Sequence, residues 1–205
     1  MDGQRKGEPQ HGPDVAAQHA LLHAIDGADG VWVFGYGSLL WNPGFDYAEK
    51  RPALLYGYHR AFCIYSDHYR GTPEQRGLVL GLDRGGSCRG IAFRLPSAQA
   101  HDILDYLWER EMLTWGRGMI STVYNLRLLT ARTDRGVVTC RTFVANRAHE
   151  EYAGRLPERR IVDMIRRGVG ASGTNRDYLA NTVGHLDELG IGDGPLHRLL
   201  RLVER

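Results

Sequence analysis

Residues 31–44 read Val-Trp-Val-Phe-Gly-Tyr-Gly-Ser-Leu-Leu-Trp-Asn-Pro-Gly. The first six are β-branched, aromatic or small and predict a strand over 31–36. That strand runs straight into a Gly-Ser turn and then into Asn-Pro-Gly. In a dinucleotide-binding fold the glycine turn would open a helix. Here the third glycine position is Leu40, and Asn42-Pro43-Gly44 breaks any helix that a pyrophosphate would need. A doubly wound parallel sheet is therefore disfavoured at its most diagnostic point. What remains is a turn whose glycines let backbone N–H groups approach a ligand and form a concavity for an anion or oxyanion. The same spacing also fits a tight turn carrying a surface serine.

Working outward, strands are predicted at 52–57, 60–66 and 77–82, with Gly85-Gly86-Ser87 as a turn feeding another at 88–95. Two more are expected at 122–130 and 137–145, joined by Thr133-Asp134-Arg135-Gly136. Asp14 can cap a short helix through Ile25, with Leu21, Leu22 and Ile25 on one face and Gly27 as its stop. Pro96-Ser97 opens a helix over 97–110 with Ile103, Leu104, Leu107 and Trp108 as its buried stripe. Helices follow at about 157–168, at 174–189 with Thr174 as cap and Asp177 three residues on, and at 194–204. Strands crowd the first two-thirds and helices the last third. The expected class is α+β, a small, mostly antiparallel, strongly curved sheet or barrel with flanking helices. The expected division is a mobile N-terminal extension with a short helix over 1–30 and a single domain over 31–205.

Composition sets the remaining bounds. The 205 residues are 42% hydrophobic and 24% charged, as in an ordinary soluble globular protein, and the net charge is +2. Such a balance raises no field for nucleic acid or a membrane surface and argues for no macromolecular partner, so a monomer is expected. Cys63, Cys88 and Cys140 are odd in number and contain no C-x-x-C pair, which reads as reduced thiols in the cytoplasm. No apolar run approaches the ~20 residues of a membrane span, and the N-terminus has no signal-peptide core.

Three further stretches carry chemistry. In Tyr106-Leu107-Trp108-Glu109-Arg110-Glu111-Met112, helical phase separates the two glutamates by about 200°. With Leu104, Leu107 and Trp108 marking the core side, Glu111 lies on that side and Glu109 faces away. Burial raises a carboxyl pKa toward neutrality and suits a general base. Glu111 capping the helix, or pairing with Arg110 or Arg117, is the other reading. Ser66-Asp67-His68-Tyr69-Arg70 offers a loop in which Arg70 can bind a carboxylate, or simply be solvated. Gly168-Val-Gly-Ala-Ser-Gly-Thr-Asn-Arg-Asp-Tyr178 leads into a capped helix, a ready anion site without the lysine of a phosphate-binding loop. Tyr178 either aims its hydroxyl into a cleft or packs in the core. His19 and His23 stand one turn apart with no third ligand nearby in sequence, so no metal is assigned to them. The five arginines of 155–167 are interleaved with Glu158 and Asp163 and read as a solvated helix face.

Taken in order, Val-Phe-Gly-Tyr-Gly-Ser-Leu at 33–39 with Trp41, Ser66-Asp67-His68 with Arg70-Gly71, Cys88-Arg89-Gly90 before Ala92-Phe93-Arg94-Leu95, Arg110-Glu111, and Ser172-Gly173 with Asn175 and Tyr178-Leu179 resemble the ChaC-type γ-glutamylcyclotransferases. The resemblance covers about residues 31 to 190. It implies a small mixed barrel with flanking helices, no cofactor, and cleavage of the γ-glutamyl amide of glutathione to 5-oxoproline and cysteinylglycine. It further implies that Val33, Phe34, Gly35, Tyr36, Gly37, Ser38 and Leu39 hold the γ-glutamyl end, with Tyr178 near the site, and that Glu111 is the catalytic glutamate; Arg70 joins the expected substrate-binding set through the carboxylate reading of its loop. A cyclotransferase for another γ-glutamyl compound, or a silent γ-glutamyl-binding module, are the alternatives. The chain departs from some members at Met112-Leu113-Thr114-Trp115-Gly116, where paired glycines would follow the Arg-Glu pair.

Overall fold

A computed structural model describes residues 14–24, 30–112 and 121–205. Five strands, β1 (Trp32–Gly35), β2 (Glu49–Ser66), β3 (Gly77–Arg94), β4 (Tyr124–Thr133) and β5 (Gly136–Ala145), form a closed barrel in the order β1-β3-β2-β4-β5. All neighbours are antiparallel except β1 and β5, whose parallel pairing at Trp32↔Cys140 and Val33↔Arg141 closes the barrel. The helices are α1 (Val15–His23), α2 (Ala100–Met112), α3 (Glu158–Arg167), α4 (Asn175–Glu188) and α5 (Gly194–Glu204). A two-residue hairpin, β6 (Val169–Gly170) with β7 (Gly173–Thr174), stands between α3 and α4.

The α+β barrel with flanking helices is the class expected, but two predicted interruptions are not there. Residues 52–57 and 60–66 belong to one 18-residue strand, and 77–82 and all but the last residue of 88–95 to another. The glycines chosen as a turn are a bulge instead. Between the pairs Tyr56↔Ser87 and Tyr58↔Arg84, Gly57 faces both Gly85 and Gly86, and all three have positive φ (83°, 101° and 70°). One residue opposing two bends both strands sharply without ending the ladder, which is how a long hairpin wraps into a small barrel.

The core has two main parts. One fills the barrel and reaches α3, α4 and α5, with Phe34, Leu55, Leu78, Leu82, Ile165 and Leu179 fully buried. The other lies between the barrel wall and α1 and α2, with Leu22, Val33, Leu104, Leu107 and Met112. Each fully buried leucine contributes roughly 1.5–3 kcal/mol. Asp14 caps α1 by accepting from the Ala17 N–H at 3.1 Å. Further along α1, the Gln18 side-chain oxygen accepts from the Leu126 N–H at 2.6 Å. Arg141 donates to the Leu22 carbonyl at 2.5 Å. Thus α1 is joined to the barrel by a buried leucine and by hydrogen bonds to β4 and β5, across the boundary drawn at residue 30. Ile25 and Gly27 lie outside the described residues.

Candidate active site

The strand–turn at 34–43 is positioned by both its neighbours in sequence and the end of α2. Tyr36 is buried and donates its hydroxyl to the Phe143 carbonyl at 3.0 Å. The turn tightens into a single 3-10 turn over Ser38–Leu40, whose N–H donors from Leu40 and Asn42 reach Gly37 and Ser38 carbonyls at 2.9 Å. From the last turn of α2, Arg110 grips this loop. Its Nη1 donates to the carbonyls of Asn42 (2.8 Å) and Pro43 (3.0 Å), and its Nη2 to Ser38 Oγ (2.9 Å). A planar guanidinium with forked donors suits such a multipoint clamp.

The same turn of helix carries Glu111. Leu104, Leu107 and Trp108 are buried and Glu109 is exposed, as the helical phase predicts. The Glu111 side chain is 19% exposed, with Oε1 3.6 Å from Arg110 Nε. Burial pushes its carboxyl above the ordinary range, and the Arg110 guanidinium opposes the shift only in part. Arg117, the alternative partner, and the departure at residues 113–116 lie outside the described residues.

Glu111 lies within electrostatic reach of three tyrosines, Tyr36, Tyr124 and Tyr178. Burial, reinforced by its negative charge, holds Tyr36 and Tyr124 well above the usual phenol range and takes Tyr178 up to about 12. Each of these phenols is therefore a neutral donor at physiological pH. Tyr124 donates to the Leu80 carbonyl at 3.0 Å. Tyr178 lies in the second turn of α4 with its ring edge-on to Phe62 at 6.0 Å, and a Cβ on Gly37 would stand 3.6 Å from its hydroxyl. The phenol thus occupies both readings at once, packed by its ring and polar at its tip.

Among the predicted residues, Tyr36, Gly37, Ser38, Glu111 and Tyr178 come together. The side chains of Val33, Phe34 and Leu39 are buried in the two core clusters on either side of β1, and Gly35 packs against Phe93 and Leu39. What these four offer a ligand is backbone. Arg70 stands behind Tyr178, its guanidinium carbon 5.0 Å from the ring centroid, with Nη1 donating to the carbonyls of Ser172 and Thr174. It holds the β6–β7 turn as well as the tyrosine. Sequence reasoning missed Tyr124, the clamp by Arg110 and the buried Arg60. The last donates to the Tyr36 carbonyl and the Arg89 carbonyl and pairs with Asp193 at 2.6 Å.

The second glycine-rich stretch packs on the protein's own backbone at Gly168 and Gly170. A Cβ on Gly168 would lie 2.5 Å from the Arg70 carbonyl oxygen, and one on Gly170 closer still to that of His68. Asn175, fully buried, accepts from the Leu78 N–H and donates to the Leu78 carbonyl, both at 2.7 Å. These glycines let backbone pack on backbone. Metal-type donors among the described residues, His19, His23 and Asp105, cluster between α1 and α2 instead.

Comparison with known proteins places the chain in a family and agrees with the fold. A family model described as ChaC-like protein matches residues 31–205. The glutathione-specific gamma-glutamylcyclotransferase of Escherichia coli K12 is 38% identical over 175 residues, covering 85% of this chain and 73% of that protein. Gamma-glutamylcyclotransferase 2-3 of Arabidopsis thaliana is 31% identical over 169 residues, covering 80% and 83%. A crystal structure of the yeast glutathione-specific enzyme superposes with a TM-score of 0.75 at 23% identity, over 86% of this chain and 96% of that one, and shares the fold.

Proposed function

The chain belongs to the ChaC-like protein family, and we propose that it is a glutathione-specific γ-glutamylcyclotransferase in which Glu111 is the general base. The enzyme cleaves the γ-glutamyl amide of glutathione and releases 5-oxoproline and Cys-Gly. The observation that carries the assignment of Glu111 is its position: a partly buried carboxyl with a raised pKa, within electrostatic reach of neutral phenols and beside the Arg110 that clamps the glycine turn.

The reaction asks for no protein nucleophile. The substrate's own α-amine attacks its γ-carbonyl carbon, a C–N bond closes a five-membered ring, and the amide C–N bond to cysteine breaks. At neutral pH the α-amine is mostly a cation. Its nitrogen passes from NH3+ to lactam N–H and loses two protons, while the leaving nitrogen passes from amide N–H to NH3+ and gains two. Glu111 takes a proton from the first and returns one to the second, ending as it began, and the other proton crosses by exchange with solvent. Holding amine and carbonyl in contact supplies the proximity effect, at most ~7–11 kcal/mol in well-oriented cases. Backbone N–H groups of the 35–39 turn steady the developing oxyanion, at roughly 3–4 kcal/mol per donor. Arg110 positions that turn through Ser38, Asn42 and Pro43.

A cytoplasmic location is part of the proposal, and the reduced cysteines support it. All three cysteines are free and buried, and burial lifts Cys63 and Cys140 to about 12 and Cys88 to about 11, so none is a ready thiolate. No helix among the described residues is long and apolar enough to cross a membrane. The test of the site is a split between binding and turnover. Glu111→Gln should still be stabilised against heat by glutathione while turnover is lost; a variant that turns over normally removes Glu111 from the mechanism.

A further inference from the structure

Between α1 and α2 lies a group of side chains that the cyclisation does not use. α1 presents His19 and His23, and α2 presents His101 and Asp105, each pair one helical turn apart. The third donor absent from the sequence neighbourhood of the histidines is supplied by the packing of the two helices. Nε2 of His23 lies 2.9 Å, and Nε2 of His19 3.9 Å, from the same Asp105 carboxylate oxygen. One ligand atom from each of the three falls within 4.8 Å of the others. Ligand atoms around a tetrahedral zinc ion with bonds of about 2.0 Å stand roughly 3.3 Å apart. The observed spacings bracket that value.

Two details favour a metal over a plain hydrogen-bonded cluster. Nε2 of His23 is shut off from solvent and makes no hydrogen bond, although it lies so close to Asp105. Its N–H direction misses the oxygen, as expected when two ligand atoms point at a common third. The other nitrogen, Nδ1, lies 3.1 Å from Nδ1 of His101. With His23 Nδ1–H as donor there, Nε2 carries the lone pair, which is the tautomer that a metal requires and that an outer partner normally fixes. A lone pair and a carboxylate oxygen at 2.9 Å repel each other unless a cation lies between them. The rings are also held in place: His23 stacks on His101 (5.1 Å, 11°), and His19 meets Trp108 edge-on at 5.0 Å.

We propose that His19, His23 and Asp105 bind one divalent transition-metal ion of the zinc class, with His101 orienting His23 and water completing the coordination. Two imidazoles and one carboxylate suit zinc and its neighbours over magnesium or calcium, which take all-oxygen sites. The His19 and Asp105 side chains are 48% and 58% exposed, so the ion enters from solvent without opening the fold. Asp105 and Glu111 are six residues apart on one helix, ~9 Å along its axis and on different faces. The ion therefore does not touch the base; it pins α1 to α2.

The test uses the tag-free full-length chain, stripped with a chelator and titrated with Zn2+ by calorimetry and with Co2+ by visible absorption. The expected result is one ion per chain, a higher melting temperature, and the intense absorption of four-coordinate cobalt. His19→Gln and Asp105→Asn, both at exposed positions, should weaken zinc binding at least about tenfold, and His101→Ala by about tenfold. Turnover of glutathione by the metal-free chain should match that of the loaded one. Absence of saturable binding at micromolar zinc, or binding unchanged in both His19→Gln and Asp105→Asn, would overturn the site.

Discussion

The two glycine-rich stretches, 34–44 and 168–175, look alike as strings and do opposite things in the fold. At Gly37 the missing side chain leaves room beside the Tyr178 hydroxyl, which feels the charge of Glu111. At Gly168 and Gly170 the missing side chain lets the chain lie directly on the backbone of the 66–71 loop, and Asn175 then ties α4 to β3 as an extra strand would. In the function proposed above the first stretch keeps its polar backbone for substrate, whereas the second uses it on the protein itself. A glycine cluster therefore marks close approach, and only the neighbours say what approaches.

The largest test of this contrast is Glu111→Gln. Turnover should fall by roughly 10²- to 10⁴-fold, the usual range for a general acid–base group. The fold should hold or gain. Burial raises the Glu111 pKa in the folded state, so the carboxyl favours folding only below its unfolded pKa and that contribution disappears as pH rises through the folded value. At neutral pH the buried charge opposes folding, and the neutral amide relieves it. A lower melting temperature for the variant would contradict the raised pKa.

Next comes the glycine pair. Gly168→Ala drives a Cβ to 2.5 Å from a backbone oxygen, for which overpacking of this kind costs about 1–3 kcal/mol. The melting temperature should drop while the turnover of the folded fraction stays normal. Gly37→Ala should act on binding instead. Its Cβ meets only ordinary contacts, but its backbone (φ −124°, ψ −126°) lies outside the regions that alanine favours, so a cost of about 1–3 kcal/mol is expected. The folded protein should show KM raised on the order of tenfold by loss of room and alignment. If both variants simply unfold, the two stretches are not different in kind.

A smaller effect is expected in the pH profile. The acid limb of kcat/KM should lie above the ordinary glutamate range, because Glu111 must be ionised to accept a proton. Arg110 lowers that pKa, so Arg110→Met should move the limb to higher pH as well as slowing the reaction through its loosened loop. A limb that moves to lower pH would reverse the sign of the argument. Smallest of all, Thr174→Ala removes the α4 cap, in which Oγ1 accepts from the Asp177 N–H at 3.0 Å, and should cost ~1 kcal/mol with no change in turnover.

The features legible in sequence were the local ones. The strand entering a glycine turn, the Thr174 cap and the side of α2 that Glu111 occupies follow from short-range rules of spacing and phase. From sequence the long hairpin reads as four strands because glycine signals a break, and only the opposing glycines across the ladder reveal a bulge. Arg110 as a clamp, Tyr124 at the site and Asp105 beside His19 all depend on which segments a closed barrel brings together, from up to about 85 residues away in the chain. No periodicity within a segment encodes such a meeting.

The central claim is tested most directly by incubating the purified chain with glutathione and analysing the products, with Glu111→Gln alongside. The account predicts equal amounts of 5-oxoproline and cysteinylglycine from the wild type and neither from the variant. Free glutamate in place of 5-oxoproline, or undiminished products from Glu111→Gln, would contradict it.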